Sequence, residues 1–132
     1  MRNVTKMVLF TLVIGALFCV IGPKAAKAGT GAAHYAAGIA LYGKGNYSAA
    51  LGNFQVSFNK HYFPWYNEYY IGFCHYQLKQ YKRAKAWMLR ARKNLRRQLP
   101  RARGAHIKWI SDCITNIDNT LPAVNEAISA QE

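Results

Sequence analysis

The feature that most constrains the fold of this chain is an internal repeat of 34 residues. A shift of 34 places Tyr35 on Tyr69 and Gly38 on Gly72. The remaining matches are three identities and one match in size alone: Tyr42 with Tyr76, Tyr47 with Tyr81, Ala50 with Ala84, and Phe54 with Met88. Small residues and rings thus recur in the same order, as they must where two helices pack closely. A fixed period of this length predicts repeated copies of one supersecondary unit.

Each repeated unit has the pattern of two helices joined by a turn. Apolar residues recur every three or four positions in four segments: AAHYAAGIALYG, YSAALGNFQVSFNKHY, WYNEYYIGFCHYQL and YKRAKAWMLRARKNLRRQL. Breaking signals separate these segments at residues 43–46, at Pro64, at residues 79–80 and at Pro100. No segment alternates with a period of two for long enough to indicate a strand. The sequence predicts an all-α chain of helix-turn-helix repeats.

The recurring positions carry glycines, rings and small residues in an order typical of one family. They are Gly38, Leu41, Gly45, Tyr47, Ala50 and Phe54 in the first copy, and Gly72, His75, Tyr81, Ala84, Met88 and Ala91 in the second. This pattern resembles the tetratricopeptide repeat (TPR) family. His34 and Glu68 depart from it, because the family usually has Trp at those positions. The resemblance implies two repeats, at residues 31–64 and 65–98, stacked as an α-solenoid.

Residues 99–132 do not repeat cleanly and are predicted to close the array. Apolar residues at a three-four spacing indicate one amphipathic helix: Ile107, Ile110, Ile114, Ile117 and Leu121. Pro122 is then expected to open a second, short helix, because proline suits the first helical position. A repeat array needs a terminal element with one apolar and one polar face. We interpret residues 99–132 as capping helices after about two and a half repeats.

The first 28 residues have the pattern of a cleavable signal peptide. Arg2 and Lys6 precede an apolar run at residues 7–22, and small residues lead up to a cleavage site after Ala28. As a helix the run would span about 24 Å, short of the roughly 30 Å hydrocarbon core, which disfavours the alternative of an uncleaved anchor. The expected location is therefore periplasmic or extracellular.

The chain is strongly basic, with 18 Lys and Arg against five Asp and Glu. Residues 69–111 contain no acid at all, whereas a merely solvated helix face normally mixes the two signs. On a helical wheel, the cations of the second helix of repeat two lie opposite an apolar face. We predict an anion-facing surface, against the alternative of general solubility, at Lys82, Arg83, Arg90, Arg92, Lys93, Arg96 and Arg97. The opposite, core-facing set is Ala84, Trp87, Met88, Ala91 and Leu95.

Rings on the first helix of each repeat predict a partner groove. In the TPR family this helix lines the concave face, and the resemblance places seven residues there: Tyr35, Ile39, Tyr42, Tyr66, Tyr69, Phe73 and Tyr76. Tyrosine suits a peptide groove because it offers contact area at low entropic cost together with a hydroxyl. The alternative is that many of these rings only pack between helices. Tyr35 and Ile39 replace the Lys and Asn clamp by which some relatives hold a peptide carboxylate.

These features predict a scaffold or adaptor that binds a protein or peptide partner in the groove while its basic face engages an acidic surface. The alternative is a basic adhesin to anionic membrane lipid or envelope polymer, with Trp87 or Leu89 as a wedge. Export makes nucleic acid the least favoured partner. A short array also leaves an exposed end that could support a homo-oligomer.

Residues that could carry catalysis are few and scattered. The four histidines lie on different predicted elements, and no nucleophile, phosphate-loop or paired-cysteine motif is present. We therefore expect no enzymatic activity, metal or cofactor. Cys74 and Cys113 follow the signal peptide, and in an oxidising compartment they could form one disulfide. The alternative is that both are small buried apolar residues.

Overall fold

The computed structural model describes residues 29–132, which form five α-helices and one short 3-10 turn. The helices are α1 (Gly31–Gly43), α2 (Tyr47–Asn59), α3 (Pro64–Gln77), α4 (Tyr81–Gln98) and α5 (Ala105–Ala130), with the 3-10 turn at Leu99–Arg101. Each helix packs against the next one along the chain. The prediction of an all-α fold is confirmed. The predicted signal peptide lies outside the described residues, and no helix within them is long and apolar enough to cross a membrane.

The 34-residue period is present in the backbone of the turns. Between α1 and α2, the amide of Asn46 donates to the Leu41 carbonyl at 2.9 Å. The amide of Gly45 donates to the Tyr42 carbonyl at 3.0 Å. The same two bonds recur 34 residues later, between α3 and α4: Gln80 to His75 at 2.9 Å and Lys79 to Tyr76 at 3.0 Å. The two helix pairs therefore have the same turn geometry, although their side chains differ.

The repeated glycines allow the two helices of each pair to approach closely. A Cβ atom on Gly38 would lie 2.7 Å from the ring of Phe54, and one on Gly72 would lie 3.0 Å from Cγ of Met88. Phe54 and Met88 are both fully buried. Glycine recurs with the period of 34 because a large side chain of the facing helix fills the space that a Cβ would need.

The core consists of two clusters, one at each end of the array. The first lies between α1, α2 and α3 and includes Phe54 and Cys74. The second lies between α3, α4 and α5 and includes Met88 and Cys113. Four of the five residues in the predicted core-facing set of α4 are fully buried, and Trp87 is partly buried. The two cysteines are free thiols in separate clusters, where each packs as a small apolar residue.

The C-terminal segment differs from the prediction in its continuity. Helix α5 is a single element, and Pro122 lies inside it rather than at the start of a second helix. A proline in a helix interior costs about 3 kcal/mol. Leu121 and Val124 are buried on the same face on either side of it, and each buried side chain of this size contributes about 1.5–3 kcal/mol. The predicted break at Pro122 was wrong because α4 provides one continuous apolar surface against which the whole segment packs.

Candidate functional site

The predicted groove is partly occupied by α5. The indole of Trp109 lies against Tyr66, with 3.8 Å between ring centroids, and 6.0 Å from the ring of Tyr69. The hydroxyl of Tyr69 accepts a hydrogen bond from Nδ2 of Asn116 at 3.1 Å. Tyr66 is only 8% exposed. Tyr66 and Tyr69 therefore pack between α3 and α5, as in the alternative prediction for the groove residues.

The other predicted groove residues remain partly or fully accessible. Tyr35 and Tyr42 contact the ring of Tyr70 edge-on, at 6.1 and 5.6 Å. Ile39 is 36% exposed. Phe73 packs against Tyr69 at 4.7 Å, and Tyr76 contacts Tyr81 at 6.0 Å. Rings thus form a continuous layer over the first helix of each pair, with α5 covering one part of it.

A pocket of about 320 Å³ opens beside α5, and we call it the aromatic pocket. It draws its walls from α1, the loop after α2, α3 and α5: Tyr35, Tyr62, Phe63, Tyr66, Ala105, His106 and Trp109. The sequence prediction contained only Tyr35 and Tyr66 of this set. The signal for the loop rings was the run YFPW at residues 62–65. The sequence interpretation treated Pro64 as a helix breaker and assigned the three rings no role in a site.

Hydrogen bonds from a buried asparagine hold the loop that contributes Tyr62 and Phe63 to the aromatic pocket. Nδ2 of the fully buried Asn67 donates to Oγ of Ser57 at 3.0 Å and to the carbonyl of Tyr62. Phe63 has a left-handed backbone, with φ 38° and ψ 65°, which costs a non-glycine residue about 1–3 kcal/mol. Its ring stacks on Tyr66 at 5.4 Å. Strain at a residue that forms part of a cavity wall points to a function for that wall.

Hydroxyl and imidazole groups lie beside the aromatic pocket. The hydroxyl of Tyr66 and Nδ1 of His106 lie 2.9 Å apart. Burial raises the pKa of Tyr42, Tyr69 and Tyr70 to about 12, and the pKa of Tyr35 rises further for the same reason. These hydroxyls stay protonated at neutral pH, so the aromatic layer offers hydrogen bonds and contact area but no negative charge.

The two thiols are unsuited to nucleophilic chemistry. Burial raises the pKa of Cys74 and of Cys113 to about 12, and the thiolate is the reactive form. Within residues 29–132, no three His, Cys, Asp or Glu side chains lie close enough together to hold a metal ion.

The basic helix α4 obtains acidic partners from its neighbours, although its own sequence has none. Glu68 of α3 is 1% exposed, and its carboxylate accepts from Nε of Arg90 at 2.8 Å. Nδ2 of Asn94 donates to the same carboxylate at 2.8 Å. The guanidinium of Arg90 also lies over the rings of Phe58 and Trp87, at 5.1 and 5.3 Å. Arg90 is thus bound within the molecule rather than free for a partner.

Helix α5 neutralises further cations of the predicted anion-facing set. Asp118 accepts from Nη1 of Arg92 at 2.8 Å and lies 3.5 Å from Nη2 of Arg96. Nζ of Lys82 lies 3.3 Å from the Glu132 carboxylate. Four of the seven predicted residues therefore have a carboxylate partner within the chain. The other three, Arg83, Lys93 and Arg97, have no ion pair among the described residues.

Arg97 lies at a second cavity of about 210 Å³, which we call the arginine pocket. Its lining combines two guanidinium groups, two amides and one indole: Arg97, Arg101, Asn94, Gln98 and Trp65. A third cavity of about 210 Å³ shares lining residues with both pockets. It shares Phe63, Tyr66 and His106 with the aromatic pocket, and Trp65, Gln98 and Arg101 with the arginine pocket. The three cavities are therefore neighbours on one surface. Aromatic rings line one part of it, and another part has two arginines without an ion pair among the described residues.

Comparison of the chain with protein-family models, with curated proteins and with solved structures gave no match. The TPR resemblance therefore stays a prediction, and it rests on the repeated residues of the chain itself.

Proposed function

We propose that this chain is an exported, TPR-like binding module that holds an acidic segment of a partner protein by an aromatic or large aliphatic side chain. The observation that carries the proposal is the aromatic pocket, to which four separate elements contribute. Its volume of about 320 Å³ falls at the lower end of the range for ligand sites, roughly 300–1,000 Å³. A pocket of that size accommodates one large side chain rather than an extended cofactor.

The chemistry of the walls supports a peptide as the occupant. Rings such as those of Tyr35, Tyr62 and Trp109 supply rigid contact area, which is the usual composition of an energetic hot spot. The Tyr66–His106 pair adds a hydrogen-bonding group at the edge. Because buried Asn67 fixes the backbone carbonyl of Tyr62, the wall needs little reorganisation on binding, which favours affinity.

The charge of the surface supports an acidic partner. After loss of the predicted signal peptide the chain keeps 14 Lys and Arg, because Arg2, Lys6, Lys24 and Lys27 are the only four before Gly29. Five of the 14 have a carboxylate partner, which leaves nine without one among the described residues. Unpaired cations around an apolar site steer acidic segments toward it and repel basic ones.

The test is selection from a library of ten-residue peptides by the purified protein, followed by affinity measurements on the selected sequences. We expect selected peptides to share one aromatic or large aliphatic residue near Asp or Glu. Phe63→Gly should weaken their binding at least tenfold, because it removes a pocket wall. The substitution suits the backbone, since glycine adopts the left-handed conformation of Phe63 without strain.

The matched control is Lys79→Gly, which makes the same kind of change at another left-handed residue, outside the linings of all three cavities. Unchanged affinity in this variant, together with loss in Phe63→Gly, would support the proposal. Equal affinity of Phe63→Gly and the unmodified protein would show that the aromatic pocket is not the binding site. Finding the uncleaved chain, with Met1 at its amino terminus, in the cytosolic fraction would contradict the export part.

Adhesion to anionic lipid is the second candidate, and one observation favours it. Leu89 is 37% exposed on α4, the helix that also carries unpaired Arg83 and Lys93. Trp87 is a poor wedge, because its ring packs edge-on against Phe58 at 5.5 Å beneath Arg90. Sedimentation with vesicles of phosphatidylglycerol, but not phosphatidylcholine, that is lost at high salt and unaffected by Phe63→Gly would favour this candidate over peptide binding.

A further inference from the structure

The arginines of this chain divide into those bound within the molecule and those left over. Arg90, Arg92 and Arg96 have carboxylate partners on α3 or α5. Arg97 and Arg101 have none among the described residues, and they line the same cavity. Placing two like charges together without a counterion is unfavourable. A site that holds an anion between them would offset this cost.

We infer that the arginine pocket is the specificity subsite of the binding surface, where Arg97 and Arg101 hold the carboxylate of an Asp or Glu side chain. That side chain would lie a few residues from the one seated in the aromatic pocket. The inference rests on the proposed peptide-binding function and adds to it which second residue of the partner is recognised. Guanidinium groups suit this task because their donors match the two oxygens of a carboxylate.

The surroundings of the two arginines favour a carboxylate that arrives from outside. The carboxylate of Glu68, which Asn94 of the pocket lining contacts, is already satisfied by Arg90 and by Nδ2 of Asn94. Gln98 adds an amide to the lining, and Trp65 adds a ring. The site thus presents several donors beside an apolar wall, as a subsite for a short acidic side chain requires.

The shared lining of the pockets favours one ligand that spans both. The third cavity shares Phe63 and Tyr66 with the aromatic pocket, and Trp65 and Arg101 with the arginine pocket. A free anion would need only the arginine pocket, and a lipid surface would need a flat face rather than neighbouring cavities. A peptide segment with one aromatic and one acidic side chain uses all three cavities at once.

The experiment uses two blocked hexapeptides that differ only in charge, acetyl-Gly-Trp-Gly-Asp-Asp-Gly-amide and its counterpart with two Asn. Their affinities are measured by NMR titration against the unmodified protein and the double variant Arg97→Gln/Arg101→Gln. We expect the unmodified protein to prefer the Asp peptide roughly tenfold or more, as charge-assisted hydrogen bonds imply. In the double variant this preference should fall to about twofold or less, with the affinity for the Asn peptide unchanged.

The control variant Arg83→Gln/Lys93→Gln removes the same charge from α4 at residues that line none of the three cavities. It should keep the preference within about twofold of the unmodified protein, because residues outside the cavities act only through long-range attraction, which salt screens. Equal loss of preference in both double variants would overturn the inference, since general charge attraction would then explain it. So would saturation of the arginine pocket by inorganic phosphate alone at the concentrations at which the Asp peptide binds.

The binding of the two peptides distinguishes failure of this inference from failure of the proposed function. If both peptides bind equally well and Phe63→Gly weakens both, the aromatic pocket binds peptides and the arginine pocket does not select among them. If neither peptide binds the unmodified protein and the library yields no sequences, both proposals fail together. Circular dichroism of each variant before titration checks that exposed Arg97 and Arg101 contribute nothing to the fold.

Discussion

The helix pairs α1–α2 and α3–α4 have the same turn backbone but different chemistry, and α4 is longer than α2, with 18 residues against 13. Both turns have the same hydrogen bonds, and both pairs pack a glycine against a large buried side chain. In the first pair, Gly45 occupies the left-handed position of the turn, and the Asn46 side chain caps α2. In the second pair, Lys79 occupies that position, and Gln80 binds His75 instead of capping α4.

The polar contacts that correspond in the two pairs differ in the same way. His34 of α1 contacts Asn53 through Nδ1 and Oδ1 at 3.0 Å. Its counterpart Glu68 is fully buried and holds both Arg90 and Asn94. The repeat thus determines the turns and the helix contacts in both pairs. The second pair differs in that its corresponding polar contact is an ion pair, between Glu68 and Arg90. The turn and the helix start of the second pair are locally less stable, because Lys79 is left-handed and α4 has no side-chain cap. Tertiary contacts such as that between Arg90 and Glu68 must compensate.

The largest expected difference concerns the polar contact at residues 34 and 68. Glu68→Ala leaves a cavity, an unpaired amide on Asn94 and a guanidinium without its partner, so we expect a loss of about 2–4 kcal/mol in the free energy of unfolding. His34→Ala breaks one partly buried hydrogen bond and should cost about 1 kcal/mol. Urea unfolding of both variants measures the difference, and Glu68→Gln, which keeps the shape, should fall between them. Equal losses would contradict the central role given to Glu68.

The next effect concerns the glycines of the two helix contacts. Gly38→Ala forces the rigid ring of Phe54 to move, and such overpacking costs about 1–3 kcal/mol. A Cβ on Gly72 would lie 3.0 Å from Cγ and 3.2 Å from the backbone nitrogen of Met88, a milder clash, and the gain in helix propensity of about 1 kcal/mol offsets part of the strain. Thermal unfolding should therefore rank Gly38→Ala well below Gly72→Ala. Adding Phe54→Leu should recover part of the loss in Gly38→Ala but none in Gly72→Ala.

The sequence predicted those parts of the molecule that depend on local patterns. The extents of α1, α3 and α4 to within a residue or two, the buried face of α4 and the close glycine contacts follow from spacing within or between neighbouring helices. The predicted extent of α2 to Tyr62 was wrong, because α2 ends at Asn59 and residues 60–63 form the loop before Pro64. The continuity of α5 through Pro122 could not be predicted, because it depends on the apolar surface that α4 presents. The pairing of Arg92 with Asp118 depends in turn on how α5 docks. The sequence of α4, which has no acid, therefore predicted more unpaired cations on this helix than the structure has.

The candidate site was predicted less completely than the fold, for a related reason. The period of 34 assigns equal roles to equivalent residues, and it therefore placed Tyr66 and Tyr69 in an open groove. The structure breaks this equivalence, because α5 covers the second copy and no counterpart covers the first among residues 29–132. His106 and Trp109 belong to the pocket through that docking alone.

An alkaline titration compares the equivalent tyrosines of the two pairs. Burial raises the pKa of Tyr35 and Tyr69 above the value of about 10 in the unfolded chain. The stability that each neutral hydroxyl contributes is therefore complete below pH 10 and is lost as the pH rises through the folded pKa, about 12 for Tyr69. Tyr35→Phe and Tyr69→Phe should both make the free energy of unfolding fall less steeply with pH in this range.

The two tyrosines should differ at neutral pH. Tyr69→Phe leaves Asn116 without its acceptor, which should cost about 1 kcal/mol or less at this exposed site. The Tyr35 hydroxyl has no hydrogen bond among the described residues, so Tyr35→Phe should leave the neutral stability unchanged. Urea unfolding at pH 7 and at pH 11 measures both effects. Parallel pH profiles for all three proteins would show that other groups govern alkaline unfolding.

The smallest expected effect concerns the left-handed residue of the two turns, and it tests the equivalence of the two copies most directly. Lys79→Gly relieves a left-handed conformation that costs a side chain about 1–2 kcal/mol, although the added freedom of the unfolded chain takes back about 0.5–1 kcal/mol. We expect a net stabilisation of a few tenths of a kcal/mol up to about 1 kcal/mol. Gly45→Lys makes the reverse change in the first turn and should destabilise by a similar amount, because the hydrogen bonds of the two turns are the same. If the two substitutions shift the urea midpoint in the same direction, the turns are not equivalent in energy despite their matching backbone.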